Sequence, residues 1–140
     1  MSETTATTRT QRIYPALRYP DARAAMRFLC NAFGFEVVAV HPEEGEPVMH
    51  AELEFDGEYI MLGSERDGDE VLPGCTTIAR AGGVTSTQYI AVENPDPICA
   101  RAKAAGATIL RDLQETDYGS REFTARDPGG NIWTFGTYRP

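Results

Sequence analysis

The chain has 140 residues, 41% of them apolar and 24% charged, a balance that fits one folded domain and excludes a disordered or fibrous polypeptide. A chain of this length buries roughly 70% of the surface its unfolded form exposes, so neither a disulfide nor a structural metal is needed for folding. The net charge of -8 argues against nucleic acid or an anionic membrane as partner and leans toward cationic ligands, with a merely acidic, solvated surface as the plainer alternative.

No apolar run approaches the length of a membrane span. Residues 1–11, polar and rich in threonine, read as a frayed tail without the apolar centre of a signal peptide. Cys30, Cys75 and Cys99 are odd in number and have no metal-ligand spacing, which reads as reduced thiols of a cytoplasmic protein, two of them packed as small hydrophobes.

From Arg12 the chain alternates in the manner of a strand, "RIYPALRY", and stops at "PD", where Asp21 is placed to cap a helix. In that helix Ala25, Phe28, Leu29, Ala32 and Phe33 form one apolar face, and Gly34 supplies a left-handed stop. "FEVVAV", "VMHAELEF" and "EYIMLG" follow as three strands, the last two joined at a "DG" turn. The unit reads βαβββ.

The second half repeats this order. "TSTQYIAVEN" is a strand and "PDPICARAKAAG" a helix with Ile98, Ala102 and Ala105 on one face; "ATILRDL", "SREFTAR" and, after the turn "DPGG", "NIWTFG" are strands. The closing strands align residue by residue, Gly57 with Gly130, Ile60 with Trp133, Met61 with Thr134 and Gly63 with Gly136, which points to duplication. The expected organisation is thus one domain over 12–138, built of repeats 12–63 and 85–138. The loop 64–84 between them reads as a lid or, from its Gly and Pro content, more simply as a flexible linker, with Val71, Leu72 and Ile78 suited to fold part of it over a neighbouring surface; "LQETDYGS" would contribute similarly.

Two βαβββ halves, "YPALRYPDARAAMRFLCNAFGFEVV" near the start and "SREFTARDPGGNIWTFGTY" near the end, together resemble the vicinal oxygen chelate superfamily. That superfamily contains glyoxalase I, extradiol dioxygenases, fosfomycin-resistance enzymes and bleomycin-resistance proteins. The likeness runs from about Arg12 to Tyr138, and the closing "DPGGNIWTFGTY" looks especially like that of uncharacterised bacterial members called glyoxalase-like. It implies an α+β fold in which each four-stranded mixed sheet curls into a partial barrel, with helices on the convex side and ligand on the concave side. Strand alternation then sorts the residues into two sets. Pro15, Leu17, Tyr19, Ile90, Val92, Trp133 and Phe135 go to the core; Tyr14, Ala16, Arg18, Tyr59, Met61, Thr87, Tyr89, Ala91, Ile132 and Thr134 go to the cavity.

Metal-dependent members of that superfamily hold their ion with one ligand on each of the first, fourth, fifth and eighth strands. Carried over, those positions are Tyr14, Met61, Thr87 and Thr134 here. Hydroxyls and one thioether supply neither the charge nor the donor type that Zn, Ni or Fe requires, so neither a metal nor another cofactor is expected. The expected ligand-binding set is Tyr14, Arg18, Tyr59, Met61, Thr87, Tyr89, Ile132 and Thr134. Tyrosines suit a planar or aromatic molecule, while Arg18 would oppose a cation and favour a carboxylate or phosphate.

On "VMHAELEF", alternation sends Met49, Ala51, Leu53 and Phe55 to the helix side and leaves His50, Glu52 and Glu54 opposite, with Glu122 on the matching strand. His50, Glu52 and Glu122 are the candidates for acid-base catalysis, against the plainer reading of a polar strand face or a dimer seam. Two functions stay open. One is metal-free capture of an antibiotic or aromatic metabolite, as in the bleomycin-resistance proteins. The other is a lyase, isomerase or dioxygenase with an unusual metal or acid-base site. The resemblance also implies a homodimer.

Overall fold

The computed structural model describes residues 10–66 and 72–140; Val71, expected to pack in the central loop, lies outside them. The first strand, β1, spans Ala16–Tyr19 and ends where Asp21 takes the N-cap of α1, Ala22–Phe28. The Asp21 carboxylate accepts from the Ala24 N–H at 3.0 Å, satisfying a donor that the first helical turn leaves without a partner. The helix then widens into a π-helical turn over Leu29–Phe33, and Gly34, at φ 89°, ends it. Leu29, Ala32 and Phe33 all reach the core.

The strands β2 (Glu36–His41), β3 (His50–Phe55) and β4 (Glu58–Ser64) complete the first repeat. The sheet order is β1-β4-β3-β2, with β1 parallel to β4 and the other neighbours antiparallel. A short helix, α2 (Ile78–Ala81), sits in the connection. The second repeat runs β5 (Gln88–Ala91), α3 (Asp96–Ala104), β6 (Thr108–Glu115), β7 (Arg121–Arg126) and β8 (Ile132–Gly136). Its sheet order is β5-β8-β7-β6, with the same parallel pair at the edge. The architecture is α+β, two four-stranded mixed sheets with helices against their apolar faces.

The register shows the duplication directly. Met61 lies between Ala16 of β1 and Glu52 of β3, and Thr134 lies between Tyr89 of β5 and Thr124 of β7. The tight turns before β4 and β8 each place a glycine at positive φ, Gly57 at 87° and Gly130 at 97°. Gly130 is also a close approach. A Cβ there would lie 2.8 Å from Ile78 Cγ2, so α2 packs against the last turn.

One apolar core joins the repeats. Phe33 sets its ring 4.9 Å from Phe135 and 5.8 Å from Trp133, and Phe55 lies 5.9 Å from Phe135. A polar junction accompanies it. The buried Asp127 carboxylate accepts from the Tyr19 hydroxyl at 2.6 Å, the Trp133 indole N–H at 3.0 Å and the Asn131 N–H at 2.9 Å. Burial, above all, raises the Asp127 pKa above the ordinary carboxylate value, and burial beside Asp127 raises that of the Tyr19 phenol. Arg101 of α3 adds a second tie, donating to the carbonyls of Asn31 at 2.8 Å and Cys30 at 3.0 Å at the end of the first helix.

Alternation predicts the core side correctly along β4 and β8, where Ile60, Leu62, Trp133 and Phe135 are buried. It fails at two ends. Met49 is 46% exposed because β3 begins only at His50, and Val48 takes the core position instead. Ala105 is exposed because α3 ends at Ala104; Cys99 and Ala102 carry its buried face. All three cysteines are free, with Cys99 buried and Cys30 and Cys75 half-buried.

Candidate functional site

A groove of about 620 Å³ runs along the seam between the repeats. Tyr59 and Ile60 border it from β4; Thr87, Tyr89 and Ala91 border it from the β5 segment. Its charged lining is Asp56, Glu58 and Arg139. Tyr59 is held at its backbone: the Gln11 side-chain amide accepts from the Tyr59 N–H at 2.6 Å and donates to the Tyr59 carbonyl at 2.9 Å. That clamp adds an extra rung beyond β1. Tyr89 is held at its tip, where its hydroxyl donates to the Tyr138 carbonyl at 2.7 Å.

Of the ligand set expected from the sequence, Tyr59, Thr87 and Tyr89 thus share one groove. The others lie elsewhere. Tyr14 precedes β1, and its hydroxyl donates to the Gln11 carbonyl at 2.9 Å. Arg18 lies over Gly63 and lines a small recess with Glu65, Arg66, Cys75, Thr76 and Thr77, away from both groove tyrosines. Met61, Ile132 and Thr134 keep the face opposite the core but do not border the groove. The case for an anionic ligand, which rested on Arg18, therefore does not apply to this groove.

The inward face of the second sheet forms a polar cluster that borders the groove at Tyr89. Glu122, Thr124, Thr134 and Gly136 lie there on β7 and β8, opposite Phe123, Ala125, Trp133 and Phe135. Thr124 and Thr134 pair through their hydroxyls at 2.8 Å. Glu122 is only 6% exposed; its Oε1 accepts from the Tyr118 hydroxyl at 2.8 Å, while its buried Oε2 has no hydrogen-bond partner among the described residues. The bond to Glu122, first among the causes, raises the Tyr118 pKa.

The cover of this cluster comes from two segments without strand periodicity. Between β6 and β7 a turn closes on Gly119, at φ 85°, with the Thr116 hydroxyl oxygen accepting from the Ser120 N–H at 3.0 Å, and it presents Tyr118. After β8, the Tyr138 N–H donates to the Ser120 hydroxyl at 3.2 Å, which sets the Tyr138 ring edge-on to Tyr118 at 5.8 Å. Sequence reasoning missed Tyr118, Tyr138 and Thr124. The signal for Tyr138 was present, since it continues the inward series Ile132, Thr134, Gly136.

His50 and Glu52 meet on the first sheet, with His50 Nε2 3.0 Å from Glu52 Oε2 and both side chains half-buried. Among the described residues no hydrogen bond joins that pair to Glu122, so the three candidates do not form one constellation. The positions carried over from metal-dependent relatives also do not fit a transition metal. Tyr14, Met61, Thr87 and Thr134 bring no imidazole or carboxylate, and among the described residues no three His, Cys, Asp or Glu groups converge on a metal-sized site.

Comparison with known proteins agrees with this architecture. An uncharacterised protein of Mycobacterium bovis is 30% identical over 126 residues, covering 87% of this chain and 80% of the relative, and one from Mycobacterium tuberculosis is likewise 30% identical with 71% of its length covered. Among solved structures, TioX from Micromonospora sp. ML1 superposes with a TM-score of 0.72 at 26% identity, covering 92% of this chain and 99% of that one. A glyoxalase-related enzyme from Fulvimarina pelagi superposes at 0.69 with 22% identity, covering 91% of this chain and 87% of that one. A family model matches residues 12–135, and the chain belongs to the Glyoxalase/Bleomycin resistance protein/Dioxygenase superfamily.

Proposed function

We propose that the protein is a small-molecule-binding member of this superfamily, one that captures a planar or aromatic metabolite or antibiotic in the seam groove without a metal and without transforming it. The observation that carries this reading is the groove itself: about 620 Å³, within the range of small-molecule sites, with one tyrosine from each repeat on its wall. Both rings start from restrained positions, Tyr59 by the Gln11 clamp and Tyr89 by its bond to the Tyr138 carbonyl. Restraint before binding lowers the ordering cost that a ligand must offset, and aromatic walls supply apolar area with few torsions to freeze.

Catalysis has less support. The His50–Glu52 pair could relay a proton, but neither residue borders the groove. The donor types at Tyr14, Met61, Thr87 and Thr134 would leave a divalent ion uncompensated. A cytoplasmic homodimer, with the edge strands β1 and β5 or the outer strands β2 and β6 available for pairing, belongs to the same proposal.

The test is a thermal-shift screen of antibiotics and aromatic metabolites on chelator-treated protein, with Tyr59→Ala and Tyr89→Ala as controls. The expected result is a ligand whose stabilisation is lost in both variants and which is recovered chemically unchanged. Turnover of that ligand by the wild-type protein, or a response untouched by both substitutions, would overturn the reading.

A further inference from the structure

The polar cluster beside the groove has an imbalance of donors and acceptors. Glu122 presents Oε2 with no partner among the described residues, although the side chain is 6% exposed. A Cβ on Gly136 would lie 2.9 Å from that oxygen and 2.6 Å from the Tyr89 hydroxyl oxygen, so both oxygens converge over a residue that has no side chain. The Tyr89 proton is already given to the Tyr138 carbonyl, and the Tyr118 proton to Glu122 Oε1. Toward Gly136, therefore, Tyr89 offers only lone pairs, and among the described residues the spot holds acceptors without a donor.

A neighbouring cation would remove the imbalance, but the nearest candidate in sequence is engaged elsewhere. Arg121 donates to both Asp96 oxygens, at 2.8 Å and 3.0 Å, and to Glu115 at 3.3 Å. Among the described residues the only basic one on the groove wall is Arg139, set against Asp56 and Glu58. We infer that the ligand of this protein carries a positively charged nitrogen, an ammonium, amidinium or guanidinium group, which Glu122 Oε2 and the Tyr89 oxygen accept over Gly136. The inference rests on the small-molecule reading above and adds the ligand's charge class.

The surroundings suit such a group. A charged donor forms the stronger bond to a carboxylate, and desolvating the carboxylate strengthens it further. Tyr118 and Tyr138 are 57% and 46% exposed, so their edge-on pair can part to admit the ligand, and each ring then offers a π face to the cation. Tyr89 borders both groove and cluster, so a ring lying along the groove can deliver its cationic substituent to Glu122.

The experiment compares three probes of one shape, benzamidine, benzamide and benzoate, titrated into isotopically labelled protein at constant ionic strength, reading amide shifts at Gly136 and Tyr89. Benzamidine should bind with shifts at both amides, with benzamide at least tenfold weaker and benzoate silent. In Glu122→Gln the affinity for benzamidine should fall about 10- to 100-fold. Gly136→Ala, whose methyl group would press 2.6 Å from the Tyr89 oxygen and 2.9 Å from Glu122 Oε2 and so drive the two apart, should do the same and serves if the glutamine variant does not fold.

Benzoate binding as well as benzamidine, unchanged affinity in both variants, or no shift at Gly136 with any probe would overturn the charge class. Benzamide or benzoate binding that shifts Tyr59 and Tyr89 and leaves Gly136 still would overturn it too, while the small-molecule reading survived. Loss of that reading would instead appear as turnover, or as a response indifferent to Tyr59→Ala and Tyr89→Ala.

Discussion

Replacing Glu122 by methionine should make the protein more stable while removing ligand binding. In the folded chain Oε2 is buried without a partner among the described residues, and an unsatisfied buried polar atom costs about 1–3 kcal/mol relative to the same atom in water. Methionine has a similar length and no branching, so it can occupy the same space beside Thr124 and Gly136 without overpacking. The bond lost is that from Tyr118, whose ring is mostly exposed, and water replaces it there. Taking about 2 kcal/mol as the gain, a chain of this size should melt about 4–8 °C higher. The assay is calorimetric or fluorescence-monitored unfolding of both proteins in the same buffer, followed by the benzamidine titration. A substitution that lowers the melting temperature would show that Glu122 holds the fold together, and the argument from its unpartnered oxygen would fail.

Three further outcomes follow, two from the packing and one from the proposed dimer. Tyr19→Phe removes a buried donor to the Asp127 carboxylate at the junction of the repeats and should cost about 1.5–3 kcal/mol, measured by urea unfolding with an unchanged m value. Because burial raises the Asp127 pKa above 3.8, the folded state holds that proton to higher pH than the unfolded chain does. The group's contribution to stability is therefore full below 3.8 and declines as pH rises through the folded value, so wild-type stability minus that of Asp127→Asn should fall with pH across this window. A difference flat in pH would refute it. Light scattering at micromolar concentration should give twice the chain mass, and a monomer would count against the dimer.

The fold was largely legible because duplication and strand alternation are both periodic signals. Gly57 and Gly130, Met61 and Thr134, aligned by sequence alone, occupy matching turns and matching register positions. Alternation states which face a residue takes but not how far along the strand it sits. Arg18 shares a face with Ala16, yet it stands by Gly63 at the end of the sheet, where the connection with Cys75–Thr77 closes over it. Alternation therefore groups it with the groove tyrosines, while the structure sets it in a separate recess.

Other features left weaker traces. Tyr118 comes from a turn without periodicity, and its partner Tyr138 follows the last strand. Asp127 reads in sequence as one residue of an exposed turn, "DPGG". Only the fold brings Tyr19, 108 residues away, onto its carboxylate. The face that Glu122 takes was legible, but not the donor deficit around it, because that depends on where the protons of Tyr89 and Tyr118 are spent.

The central claim, capture of a small organic molecule without a metal, meets its most direct test in native mass spectrometry of the protein after exposure to a bacterial metabolite extract, since one spectrum reports organic adducts and metal ions together. The expected result is a single organic species at one equivalent per chain, absent in Tyr89→Ala, and no stoichiometric transition metal before or after loading. One equivalent of Zn, Ni, Fe or Mn on each chain, with organic binding lost when a chelator strips it, would contradict the account.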